Sequence, residues 1–538
     1  MTPTTLYREI RSLPVSRQLS LLALPLVFLS VSLWMRHSAG PFWLWSNLDP
    51  DYWYLFDSLN MVNGEWPKHI AHPGTTAQWI GAVLIKALHP FESLEEVNRL
   101  VLTQPEHYLT LIGRILIGFN TVALVIVGMV GYLVFRDLTA ALLLQTGPFL
   151  SKLIFKWSVH VSPEPLLITV VIALGIVTVL ALRKGQLKNH RNRYALAFAI
   201  IAGFGMATKV TSAGLYLMPV ILLWNIGAVV RYGLYAFIAL IVFTLPAFGA
   251  YEAFLDRMAM ISSSSGFHGT GAQTFIDFAT YPRSLLRVAS RPVFFVVLVI
   301  GVGLLIALLR KCRREEKPVP VIGCAMAGLC LAYIGQALLI AKHPAGHYMV
   351  PALCFSGLGL ALIYQLSKEF LPAEGAGLKR LNWGFSILLL VLVFAQGSSL
   401  MKLNREFSQR TANAEAIDET PYEACARIYF WPASHPLYGL FMGSWNTEYS
   451  FDDELNRYYP EKSVMFYTND GELHGLKGLR EPEPIAYKYP CIYLRGERPD
   501  GSLKKLQDAW ASYPEKAQCQ LDDEVAFTWG IDCSPSNK

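Results

Sequence analysis

Asn47-Leu48-Asp49-Pro50-Asp51-Tyr52-Trp53-Tyr54-Leu55-Phe56 follows the first apolar run of the chain, 18–36, and is soon followed by His72-Pro73-Gly74-Thr75. Two carboxylates and an aromatic cluster stand where the chain has just left a bilayer. Charge at that depth is costly and marks chemistry or an ion path. Apolar runs of spanning length recur at 18–36, 109–135, 137–156, 163–182, 193–209, 211–230, 232–252, 291–310, 319–341, 348–365 and 382–402. Eleven transmembrane helices are therefore expected. The run from Leu21 to Trp34 has no small-residue cleavage site and reads as a retained first helix.

Composition agrees with that architecture. The chain is 53% hydrophobic and 16% charged over 538 residues, so spanning helices must be combined with water-facing parts. A net charge of +6 is no nucleic-acid signal here, because the basic residues sit in short clusters between apolar runs. The clearest clusters are 183–193, 310–314 and 379–380; Arg8, Arg11, Arg17, Arg136 and Arg231 join them on one side under the eleven-helix count. The positive-inside bias then predicts a cytoplasmic N-terminus and an outside C-terminus.

Residues 74–88 are apolar but short, and counting them as a span would put the basic clusters outside. They are expected to lie in the membrane plane as an amphipathic helix. Residues 37–108 then form one large outside loop. Within it, 51–62 reads as a short surface helix, with Trp53, Phe56 and Leu59 toward the bilayer boundary and Gly64 ending it.

The tail, 403–538, is a different material, rich in Pro, Tyr, Asp and Glu. Strands are expected at 427–431, 463–467, 491–495 and 525–529, and helices at 451–458 and 503–510, making a small soluble α/β domain. Cys425, Cys491, Cys519 and Cys533 all fall there. An even set in one soluble segment suggests disulfides and an oxidising compartment, with three pairings open. Cys312, Cys324, Cys330 and Cys354 belong to apolar helices, where a thiol serves as a small hydrophobe.

Several polar groups gather on the expected outer face. His160 and Glu164 lie in Val159-His-Val-Ser-Pro-Glu-Pro, Lys209 in Met206-Ala-Thr-Lys-Val-Thr, and Lys342, His347 and Tyr348 in Lys342-His-Pro-Ala-Gly-His-Tyr. Outer basic residues run against the positive-inside bias, yet Arg257, Arg283, Arg287 and Arg291 are also placed there. A ring of cations suits an anionic lipid head group. One carboxylate beside such a ring is enough to transfer a sugar from a lipid phosphate. A base takes the proton of the attacking hydroxyl, and the phosphate leaves as a stable anion held by positive charge. The bland readings are that Asp49 only caps a helix, that Glu164 only starts one, and that single histidines are structural. Lys209 is harder to set aside, because an unpaired buried ammonium is costly.

These motifs resemble those of the GT-C glycosyltransferases, above all the lipid A aminoarabinose transferase and protein O-mannosyltransferase branch. The matching parts are Asp49-Pro50-Asp51, the short helix Tyr52 to Gly64, His72-Pro73-Gly74-Thr75, Glu164, Thr208-Lys209, and Lys342 with Tyr348 and Pro351. The resemblance covers about 18–365. It implies a GT-C-like fold in a bacterial inner membrane, with 1–402 as the transmembrane domain and 403–538 as a periplasmic domain. It also implies an inverting transferase that takes sugar from a polyprenyl-phosphate donor. Asp49 or Asp51 would be the base; Tyr52, His72, His160, Glu164, Lys209, Arg257, Lys342, His347 and Tyr348 would bind substrate. Spacing to Gly64 matches the branch better from Asp49, which makes Asp49 the first choice for the base; the chain departs from the branch in carrying Asp-Pro-Asp for the usual Asp-Glu pair, which keeps Asp51 open as well, and Glu for Asp at 164. The acceptor is left as a glycan, a lipid or a protein, and no nucleic acid is expected. No cofactor follows from the sequence; a divalent cation at Asp49 and Asp51 stays open, since two carboxylates do not define a site. The alternative is a polytopic transporter or lipid flippase, which would carry mid-helix charges and inverted repeats. A scaffold acting through its tail is the third reading.

Overall fold

The computed structural model describes residues 14–533 apart from 45–47, 71–72, 267–268, 270, 373–374, 461, 469–470, 477, 481–487, 498–505, 507, 509 and 511–515. In chain order the helices are α1 (Val15–Ser38), α2 (Leu48–Val62), α3 (Thr75–Leu88), α4 (Leu94–Thr103), α5 (Pro105–Phe135), α6 (Leu138–Gln145), α7 (Lys152–Ser158), α8 (Pro163–Leu182), α9 (Gln186–Thr208), α10 (Met218–Leu223), α11 (Ile226–Thr244), α12 (Tyr251–Ser263), α13 (Tyr281–Ala289), α14 (Pro292–Arg314), α15 (Val321–Lys342), α16 (Val350–Lys368), α17 (Ala376–Glu415), α18 (Pro436–Asn446) and α19 (Asp452–Tyr458). The strands are β1 (Ala426–Phe430), β2 (Val464–Tyr467), β3 (Leu473–Gly475), β4 (Gly478–Arg480), β5 (Ile492–Gly496), β6 (Lys516–Leu521) and β7 (Glu524–Trp529). The chain is a polytopic α-helical membrane protein with a small α/β tail. It divides into two compact units: residues up to Trp34, 70–77 and 113–403 form the first, and 35–69, 78–112 and 404 onward form the second.

Among the described residues eight helices are long and apolar enough to cross a membrane, where eleven were expected. They are α1, α5, α8, α11 with its continuation through α12, α14, α15, α16 and α17. Three expected spans fail for physical reasons. The run 137–156 is cut into α6, a 3-10 turn at Gly147–Leu150, and α7. Asp137 caps α6 through the Ala140 N–H, Pro148 follows, and Ser151 caps α7 through the Leu153 N–H. The apolar part of α9 is shortened by Lys188, Arg191 and Arg193 in its first half. The run 211–230 becomes a 3-10 helix, Val210–Leu217, and the short α10. The sidedness argued from eleven spans therefore no longer follows from the count.

In the first unit α16 is the interior helix, with 94% of its apolar window buried against 6% for α17. Small residues permit the close approach: a Cβ on Gly357 would lie 2.8 Å from the Gly147 nitrogen. Tyr333 stacks on Phe294 at 4.4 Å and bonds Ser356 at 2.6 Å. Buried Gln145 donates to the carbonyls of Leu21 and Leu124, tying α6 to α1 and α5.

In the second unit the first-loop helices and the tail pack together. The sheet order is β4-β3-β2-β1-β5-β7-β6, with β1 central and parallel to both β2 and β5. One face is a core of Ile428, Phe430, Met465, Leu494, Phe527, Trp510 and Trp529. Cys425 pairs with Cys491, beneath a stack of Tyr422 on Tyr493, and Cys519 pairs with Cys533. The four strands and the helix at 451–458 fall where expected; the expected helix at 503–510 lies largely outside the described residues. On the other face α18 docks on α2. A Cβ on Gly439 would meet Tyr52 Cζ at 2.9 Å, and one on Gly443 would meet Phe56 ring atoms at 3.0 Å. The first-loop helix runs Leu48–Val62 and Gly64 ends it with φ +81°, but it is no surface helix: Phe56 and Leu59, expected toward the bilayer boundary, are fully buried, Phe56 against Gly443 and Phe451 of the tail.

Buried Arg495 organises the charged part of the tail. Its Nε lies 2.9 Å from Glu419 and its Nη2 donates to the Ser434 carbonyl, while Glu524 accepts the Ser434 N–H. His435 stacks on Tyr429 at 4.3 Å, and its Nδ1 accepts the Leu437 N–H that opens α18. Burial first, then Arg495 and Arg427, push this imidazole well below its ordinary range. The sign follows: on acidification the unfolded chain takes the proton first, so this imidazole's contribution to stability is fully present above about pH 6.5 and is lost as the pH falls below it. Intrinsic-rate-corrected amide exchange in β1 and α18 is expected to be faster at pH 5 than at pH 7.5, and a His435→Asn chain is expected to show a smaller difference.

Candidate active site

The break at Lys209 is where separate motifs meet in the first unit. Helix α9 stops at Thr208, and Lys209 takes extended backbone (φ −164°, ψ 117°) while its N–H still bonds Gly205. That extended residue forms a lone antiparallel bridge with Pro73. Beside it Thr76 and Thr208 share a hydroxyl–hydroxyl bond of 2.7 Å. Ser212 donates to the Lys209 carbonyl at 2.8 Å, which starts the 3-10 helix. The Pro-Gly-Thr-Thr segment of the first loop is thus stitched to the Thr-Lys of α9.

The Lys209 side chain is 4% exposed and its ammonium bonds Glu164 at 2.5 Å. Glu164 is 1% exposed in the first turn of α8, behind Pro163. His347 Nε2 stands 4.0 Å from the same carboxylate oxygen, and Lys209 lies 4.9 Å over the Tyr348 ring. Trp157 packs between His160, at 5.0 Å, and His347, at 4.7 Å. Four stretches, 73–76, 157–164, 208–209 and 347–348, thereby converge on one buried ion pair. Lys209 and Glu164 cancel in charge; His347, when protonated, makes the cluster a net cation.

An apolar cavity of about 250 Å³ adjoins this cluster through Pro73 and Val210. Its other walls include Ile70, Phe237, Leu240, Ile241 and Phe254. A group with a charged head and a hydrocarbon tail meets complementary surroundings in that arrangement.

The other expected residues land elsewhere. Lys342 donates to the Ser262 carbonyl at 2.7 Å and lies 4.2 Å over Phe275, so its cation ties down the segment after α12. His343 joins it there, with both ring nitrogens on the carbonyls of Ile261 and Gly266. Arg257 stays on its own helix, with Nη1 3.9 Å from Met260 Sδ. His72 lies outside the described residues.

Of the acid motif, Asp49 belongs to the backbone of α2, and its side chain lies outside what is described. Asp51 is fully buried, within Coulombic reach of Arg36. Tyr52 is buried as well, but its hydroxyl bonds Glu106 at 2.8 Å, a structural partner where substrate was expected. Asp57, absent from the sequence-derived set, is fully buried and accepts from the Lys68 and His69 N–H groups and from Gln78, at 2.7, 2.9 and 2.9 Å. Burial pushes its carboxyl up to about 7 against those donors. Its signal was an acid beside Leu55 and Phe56 within the helix expected at 51–62. Among the described residues no three of His, Cys, Asp and Glu come together as metal ligands.

The Glu164–Lys209 pair makes a clear prediction. Glu164→Gln leaves a buried ammonium without its counter-charge and is expected to cost about 3–5 kcal/mol of stability. Thermal unfolding in detergent should show a large fall for Glu164→Gln and substantial recovery in the Glu164→Gln, Lys209→Met double variant.

No family model and no curated protein matches this chain. Among solved structures, ArnT from Cupriavidus metallidurans bound to undecaprenyl phosphate is similar over 94% of this chain and 97% of that one, at 12% identity and a TM-score of 0.46. A TM-score below 0.5 falls short of a shared fold.

Proposed function

We infer that this chain is a GT-C-type glycosyltransferase that moves a sugar from a polyprenyl-phosphate donor to a glycan, lipid or protein acceptor on the outer face of a bacterial inner membrane. The observation that carries the reading is the meeting of four motifs at buried Lys209, next to an apolar cavity of about 250 Å³. A buried ammonium beside an apolar cleft suits a phosphate on a hydrocarbon chain. Lys209 takes the head group, with His347 adding charge when protonated, and Ile70, Phe237 and Phe254 flank the prenyl tail. Displacing Glu164 from Lys209 is the electrostatic cost of binding, offset by burial of the prenyl chain at about 25 cal/mol per Å².

The reaction needs one base. Asp49 or Asp51 removes the proton from the acceptor hydroxyl, the freed oxygen bonds the anomeric carbon, and the sugar–phosphate bond breaks. The polyprenyl phosphate leaves as an anion, so no general acid is required. Disulfides in the tail support an oxidising outer compartment for that domain.

The direct test is transfer from a radiolabelled polyprenyl-phosphate sugar pool in membranes. Asp49→Asn or Asp51→Asn should lower transfer about 10²–10⁴-fold, the range typical of a lost general base. Lys209→Met should weaken retention of undecaprenyl phosphate. Unchanged transfer in both Asn variants would remove the assignment, and loss in one alone would name the base.

A further inference from the structure

Glu106 has no role in the chemistry above, yet it accepts three hydrogen bonds beside the Asp51 helix. It sits at the second position of α5, after Pro105, half-buried. Its Oε2 accepts the Phe42 N–H at 2.7 Å, and its Oε1 accepts the Trp43 N–H at 3.0 Å and the Tyr52 O–H at 2.8 Å. An acid in the first turn of a helix needs only the helix dipole to explain it. Three donors from two other segments are more than that. Two come from the chain that has just left α1, and one comes from the residue next to Asp51.

The same segment is held from further directions. Arg36, at the end of α1, donates to the Gly40 carbonyl and lies 3.9 Å over the Phe42 ring. Its guanidinium is within Coulombic reach of both Asp51 and Glu106. Gly439 of α18 also packs against the Tyr52 ring: a Cβ there would lie 2.9 Å from Tyr52 Cζ and 3.2 Å from Trp43 Cβ. Tyr52 is thus buried, bonded at its hydroxyl and closely packed at its ring, and Asp51 precedes it on the same helical turn.

We propose that Glu106 is a positioning residue: by tying Tyr52 to the backbone of Phe42 and Trp43 it fixes the height and rotation of the helix that carries Asp51. It touches no reacting atom. The inference rests on the glycosyltransferase reading for its consequence in catalysis, though not for the tether itself. A base displaced by about 1 Å loses on the order of 10²-fold in rate, while lipid-phosphate binding by other residues is untouched.

The experiment uses the full chain in detergent or membranes, with Glu106→Gln and Tyr52→Phe. The amide presented by Gln repels one of the two backbone N–H donors, whereas Phe removes one hydroxyl and little else. Both variants are expected to raise amide exchange in Tyr52–Phe56 about ten-fold. Both should lower kcat for sugar transfer by about ten-fold or more, while the Kd for undecaprenyl phosphate stays within about two-fold, the split expected of an orientation effect. Unchanged exchange in both variants would overturn the tether. Faster exchange with unchanged kcat would overturn the positioning role, and so would a kcat loss matched by loss of lipid binding or of folded protein. If the wild-type chain transfers no sugar, the glycosyltransferase reading fails and the positioning role falls with it. The exchange measurement still decides whether Glu106 holds the helix.

Discussion

A lysine ammonium placed inside a helical bundle has to find negative charge, and here it finds Glu164 at 2.5 Å. That requirement shapes its neighbourhood. Helix α9 ends at Lys209, the backbone turns extended, and the first-loop segment at Pro73 supplies the strand-like partner. Without the pair, an isolated ion in that setting would be several kcal/mol too costly to keep. With it, the chain holds a charged group that a stronger anion can recruit. A packed apolar core would be cheaper, which is why the arrangement reads as a site.

How much of this was legible follows from what hydropathy can and cannot register. Helix ends marked by local chemistry were readable: Gly64 adopts φ +81° at the end of α2, and Pro163 opens α8. Interruptions inside apolar runs were not. The cut at Gly147-Pro148 depends on α16 packing so closely that Gly357 nearly touches the Gly147 nitrogen, a contact 210 residues away in sequence. The break at 208–209 depends on Pro73 and Thr76 arriving from the first loop. Both segments are apolar on average, so a window average counts each as one more span.

The candidate residues divide along the same line. Glu164, Lys209, His347 and Tyr348 were picked as charges or aromatics out of place in apolar surroundings, and the structure brings them together. Lys342 and Arg257 were picked for the same reason and go elsewhere. A flexible cation near a helix end has nearby carbonyls to satisfy it, and Lys342 takes that of Ser262. Sequence alone reveals that a charge needs a partner; which partner it takes is decided by chain geometry. Glu106 and Asp57 were passed over because each is held by two backbone N–H groups, which leave no trace in residue identity.

Composition marks the tail as a different material from the apolar runs, and within the second unit it packs on the first-loop helices. Helix α18 packs on α2 through Gly439 and Gly443, and Phe451 meets Phe56 edge-on at 5.8 Å. Tyr459 adds a bond to the Leu102 carbonyl of α4 at 3.0 Å. The helix bearing Asp51 is therefore part of the tail's own compact unit, bounded on one side by α18 and on another by Glu106. A 15-residue helix is marginal in isolation, and this one is buried on nearly every side from Asp51 to Asn60. Its order is borrowed from the sheet domain through α18, whose N-terminus is capped by His435 beside the Arg495 network. A disturbance of that buried charge network thus has a physical route to the acid helix through contiguous packing, with β1 and α18 as the rigid elements in between.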